Sequence, residues 1–132
     1  MHISKASYSS LFFLILTCSC KEESKQPQLD KNLLTGRWEI VQAWRNGRPT
    51  ETLAGTFYEF DENGTMRTNL TASGVEEESK FEVDGLKIEQ KSSPEKVEYT
   101  VSELSDSVLT LSMKIKNFPF QIQLSKYHPA PD

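Results

Sequence analysis

Few residues in this sequence belong to types that do covalent chemistry, and where they stand narrows what they can do. The two cysteines, Cys18 and Cys20, flank Ser19 directly after an apolar run that ends at Thr17, and the two histidines are His2 and His128. Nucleophilic catalysis needs an activating base beside the nucleophile, and acid–base work needs groups whose pKa values are pushed apart. His128 sits in a Tyr-His-Pro tail, so a Ser-His-Asp site would have to be assembled at a chain end, where termini are usually mobile. Glu76, Glu77 and Glu78 offer carboxylates for a calcium ion, yet consecutive strand residues point to opposite faces and cannot all converge on one cation. A solvated edge that deters strand addition fits them better. The expectation is a non-catalytic protein with no cofactor and no metal.

The thiols have a different use. Met1 to Ser10 carries Lys5 and no acid, and Leu11 to Thr17 is apolar except for its last member, which is the layout of a signal peptide. A membrane-crossing helix needs roughly 20 apolar residues, more than this run supplies. A small side chain directly before the processed cysteine favours Cys20, after Ser19, over Cys18, after Thr17; Cys18 is then discarded with residues 1–19. Cys20 would carry the lipid, and two or three acyl chains make a stable anchor where one is marginal, each buried methylene contributing about 0.8 kcal/mol. The mature chain is left with no free thiol and no disulfide. Lys21, Glu22 and Glu23 resemble the K-(D/E)-(D/E) export signal of some Gram-negative lipoproteins, which implies display on the cell surface of the outer membrane; anchorage facing the periplasm is the alternative.

Length and charge bound the remainder. The chain beyond the leader suffices for one domain with a modest core. The formal charge of −4, more negative once Lys5 is lost, argues against a nucleic-acid surface. Residues 20–32 are polar with no apolar periodicity and read as a lipidated cysteine and flexible tether. Leu33 and Leu34 open the ordered region, residues 33–127, with room for one helical turn, and 128–132 form a tail.

From Gly36 onward apolar residues recur at every second position and the breaks fall at Gly, Asn, Asp, Pro and Ser, the pattern of antiparallel strands. Strand one is expected over Arg37–Arg45, with Trp38, Ile40, Gln42 and Trp44 on one face, ending at Asn46-Gly47. Thr56–Phe60 and Thr65–Leu70 lie on either side of Asn63-Gly64. Glu77–Val83 and Leu86–Lys91 join through Asp84-Gly85, a type I′ candidate that sets Phe81 and Val83 against Leu86 and Ile88. A loop at Ser92–Glu95 leads to a strand through Val97, Tyr99 and Val101, then one through Leu109 to Ile115, and a last through Phe120, Ile122 and Leu124. With about eight strands and no crossover helix, the expected fold is all-β: an antiparallel up-and-down meander closed into a small barrel, with an open sandwich as the alternative.

Leu34-Thr35-Gly36-Arg37-Trp38-Glu39-Ile40-Val41 resembles the G-x-W opening of lipocalin-like proteins, and Phe60 to Thr65 and Tyr99 to Met113 resemble parts of the small lipocalin-like domains of bacterial lipoproteins. The resemblance covers residues 33–127. It implies that Gly36 and Trp38 close the barrel floor and that Lys126, from the last strand, packs across the Trp38 ring as a cation–π partner. The second lipocalin signature, T-D-Y, has no counterpart here.

A barrel of this size is either filled by side chains or holds one small ligand. The inward candidates Trp38, Trp44, Tyr58, Phe60, Phe81, Tyr99 and Phe120 are bulky and favour filling. Gln42, Thr68 and Gln90, placed among them, favour a pocket with scattered polar groups. Gly47 to Gly55 is either a lid or a surface loop. Two functions are consistent with this pattern: an outer-membrane lipoprotein binding a small apolar or amphipathic molecule, with Gln42, Trp44, Tyr58, Phe60, Phe81, Tyr99 and Phe120 lining the site, or an envelope module with a filled barrel that binds another protein.

Overall fold

The alternation in the sequence becomes one antiparallel sheet that closes on itself. The computed structural model describes residues 27–91 and 96–129. The expected leader, Cys20, Lys21, Glu22, Glu23, the expected loop at Ser92–Glu95 and residues 130–132 lie outside the described residues.

A single helical turn, α1 (Lys31–Leu34), precedes nine strands: β1 (Gly36–Arg45), β2 (Arg48–Thr50), β3 (Phe57–Phe60), β4 (Thr65–Thr68), β5 (Glu77–Asp84), β6 (Lys87–Lys91), β7 (Lys96–Leu104), β8 (Val108–Ile115) and β9 (Phe118–Lys126). Strands β3 to β9 pair in chain order, and β9 returns to pair with β1, which closes the barrel. Asp30 caps α1 by accepting the Asn32 N–H at 2.9 Å, and extended backbone at Thr35 ends it.

Strand β2 was not expected. Asn46 and Gly47, both at positive φ, turn β1 straight into it, and it pairs with Ala43–Arg45 while β3 takes the Gly36–Glu39 half of the same edge. Its three residues include Pro49 and show no alternation, so nothing in the sequence marks it as a strand. Gly47 to Gly55 is therefore no lid: its first part is sheet, and Leu53 packs against the core.

Two further corrections come from register. The β5–β6 turn is centred on Gly85-Leu86, with Asp84 paired to Lys87 and Gly85 at φ +61°, so glycine occupies the first central position as in a type II′ turn. Leu86 accordingly sits in the turn, not opposite Phe81 and Val83. In β1 the pairing with β9 skips Val41: Ile40 opposes Leu124 and Gln42 opposes Gln123. That bulge reverses the facing of the rest of the strand. Ala43 becomes the buried residue, and Gln42 and Trp44 leave the lumen set.

The lumen is occupied by side chains. Tyr58, Phe60, Met66, Ile88, Tyr99, Leu109, Leu111, Ile122 and Leu124 are all fully buried. Tyr58 and Tyr99 meet edge to face at 5.5 Å, and Phe60 meets Phe81 likewise at 5.2 Å. Fully burying a side chain of this size contributes about 1.5–3 kcal/mol, so the packed lumen is the main source of stability.

Candidate functional site

The two ends of the barrel differ in construction. At the α1 end, Trp38 is fully buried and its Nε1 donates to the Leu34 carbonyl at 2.8 Å. Lys126 Nζ lies 4.5 Å from the Trp38 ring centroid and donates to the carbonyls of Leu33, at 3.1 Å, and Thr35. Gly36 makes this approach possible: a Cβ there would stand 2.8 Å from Lys126 Cε. The ammonium thus ties the first and last strands to the helical plug, and this end is sealed.

Inside the lumen Tyr58, Tyr99 and Gln90 pair with one another, and Thr68 bonds the backbone. Tyr58 donates to the Tyr99 hydroxyl at 3.3 Å, Tyr99 donates to Gln90 Oε1 at 2.6 Å, and Thr68 Oγ1 donates to the Phe57 carbonyl at 2.8 Å. Burial pushes the Tyr99 hydroxyl up to about 12 and raises Tyr58 well above its ordinary range. This neutral chain holds the core together; beside it, the buried Ser79 hydroxyl on β5, opposite Met66, has no hydrogen-bond partner among the described residues.

The opposite end is open. The ladder between β7 and β8 runs from Leu104↔Leu109 to Thr100↔Ser112 and stops there, although β7 continues back to Lys96 and β8 on to Ile115. Where the strands part, a cleft of about 730 Å³ enters the wall. Val97, Met113 and Phe120 form its apolar floor. Trp44, Gln121, Ser112 and Thr100, consecutive cross-strand neighbours on the outer face, form one bank, and Lys96, Glu98 and Lys114 stand along the seam. Lys96 pairs with Glu89 and Glu98 with Lys87; among the described residues Lys114 has no ion-pair partner.

A smaller cleft of about 410 Å³ lies outside the sealed end, between α1 and the β3–β4 turn, with Asp61, Glu62 and Glu82 on its walls. Among the described residues no three histidine, cysteine or acidic side chains gather as metal ligands, and no helix is long and apolar enough to cross a membrane.

Of the residues singled out as ligand-lining, Tyr58, Phe60 and Tyr99 are core, and Phe81 is half-buried against Phe60. Gln42 turns its amide onto the Ala43 carbonyl at 3.0 Å. Trp44 and Phe120 meet at the open cleft, Trp44 from the outer face. Val97, Met113, Lys114 and their neighbours were missed, because alternation, which holds from Val97 to Val101 and from Leu109 to Ile115, does not record that the ladder between the two strands parts.

No protein-family profile matches the chain, and no curated protein does. Among solved structures the chain is similar to a lipocalin-like protein from Bacteroides uniformis, with a TM-score of 0.53 and 19% identity over 72% of this chain and 99% of that one. The likeness is one of fold. This chain has the closed, eight-stranded antiparallel barrel of lipocalin-like proteins, with one additional strand.

Proposed function

We propose that this protein is a non-catalytic, lipid-anchored binding protein of the outer membrane that takes up a small apolar or amphipathic molecule in the cleft between β7 and β8. The observation that carries the reading is the cleft itself: with the lumen filled, it joins an apolar floor to a polar and charged rim in a volume suited to a small ligand. A lipocalin-like fold is compatible with such a role.

Anchorage rests on the sequence, with Cys20 as the acylated residue and Lys21-Glu22-Glu23 as a surface-export signal. The fold is consistent with it. The chain enters at the sealed end, where the Leu29 N–H donates to the Gly85 carbonyl at 2.9 Å. The cleft lies toward the far end of β1, a ten-residue strand. Such a strand spans roughly 30 Å, so the cleft lies at the end of the barrel remote from where the described chain enters.

The ligand reading is tested by titrating the full chain, with Cys20→Ser to exclude acylation, against dodecanoate, dodecanol, a sterol and a quinone. A saturable change in indole emission, lost in Trp44→Phe, is expected. A flat response to the whole panel would discard the reading in favour of a protein partner, for which a filled barrel suffices. Anchorage predicts incorporation of labelled palmitate into the wild-type chain and none into Cys20→Ser; replacing Lys21, Glu22 and Glu23 by alanine should then protect the protein from protease on intact cells.

A further inference from the structure

We infer that the ligand carries an amide directly beside its apolar chain, the chemistry of an N-acyl amino acid or of an acylated peptide end. The inference deepens the small-molecule reading of the same cleft and rests on it.

Strand edges alternate in which residues face which neighbour. The Val101 N–H donates to the Leu86 carbonyl on the β6 side, so the backbone groups of Thr100, and by alternation of Glu98, face β8. From the other side, Ile115 and Phe118 flank a two-residue turn with both central residues, Lys116 and Asn117, at positive φ. That is type I′ geometry, in which the flanking residues bond each other. Ile115 and Met113 therefore face β9, and Ser112 and Lys114 face β7. Thr100↔Ser112 is the last pair formed, and the next hydrogen-bonding pair in register, Glu98 with Lys114, is absent from the ladder. Each of these two residues turns an N–H and a C=O toward the cleft.

A surface with a donor and an acceptor side by side selects its complement. A carboxylate offers only acceptors, whereas a trans amide offers one N–H and one C=O in fixed opposition, which is what a strand edge bonds. An amide seated between Glu98 and Lys114 extends the interrupted ladder, its acyl chain reaching Val97, Met113 and Phe120. A carboxylate beyond the amide meets Lys114 Nζ, the rim cation with no ion-pair partner among the described residues.

The test compares N-dodecanoylglycine with its ester counterpart, O-dodecanoylglycolate, on the full chain carrying Cys20→Ser. The ester keeps the tail and the carboxylate and loses only the N–H. We expect the amide to bind about three- to tenfold more tightly, the scale of one hydrogen bond, and to shift the backbone amide resonances of Glu98 and Lys114. Lys114→Gln should weaken N-dodecanoylglycine and leave the uncharged N-dodecanoylglycinamide unchanged. Equal affinity of amide and ester, or binding that leaves both resonances in place, overturns this inference while the small-molecule reading stands. Failure of all three compounds to bind, with the wider panel also silent, overturns both.

Discussion

At the scale of single residues the most consequential group is the Tyr99 hydroxyl, which donates to Gln90 Oε1 and accepts from Tyr58 inside the packed lumen. Tyr99→Phe strands both partners, and a loss of about 1–3 kcal/mol is expected in urea denaturation, the cost of unsatisfied buried groups. The same burial has a pH signature. Tyr99 holds its proton more tightly when folded, its pKa raised from the ordinary 10.0 to about 12. Its contribution is complete below about pH 10 and is lost as pH rises toward 12, since the unfolded chain releases the proton first. Melting temperatures should therefore fall across that interval, and Tyr58→Phe/Tyr99→Phe should flatten the fall. The aromatic character of this core was legible in the sequence because Tyr58, Phe60 and Tyr99 occupy alternate positions. The pairing of Tyr99 with Gln90 was not, because the two rest on different strands and meet only through register.

At the scale of elements, strand β1 carries most of the architecture, since it closes the barrel with β9 and shares its other edge between β2 and β3. Its first residue has two constraints. Gly36 lies at φ +127°, and an added Cβ would meet Lys126 Cε at 2.8 Å and Nζ at 2.9 Å. Gly36→Ala is expected to cost roughly 1–3 kcal/mol through backbone strain, and to displace the ammonium from Trp38, visible as altered indole emission in the folded state. Most strand positions were readable because a half-buried strand must alternate. The bulge at Val41 was not readable, because an extra residue is defined by the partner it fails to oppose, and that partner, β9, lies at the other end of the chain. That one residue explains why Trp44 belongs to the cleft and not to the lumen.

At the scale of the whole molecule, the barrel is sealed at the α1 end and parted at the other. Amide hydrogen exchange should show the asymmetry directly: Glu98 and Lys114 should exchange well before Val101 and Leu111, which sit in the intact part of the wall. Uniform protection along β7 and β8 would mean that the seam is closed in solution. The sequence by itself determined the antiparallel alternation and most of the core, because periodicity is a property of neighbours in the chain; Gly36, Trp38 and Lys126 at the floor came from the lipocalin-like resemblance of the G-x-W segment. Whether the lumen was hollow, which way Trp44 pointed and where the wall opened were decided only by tertiary structure. Those depend on volumes and registers summed across strands, and no segment of the chain contains them alone.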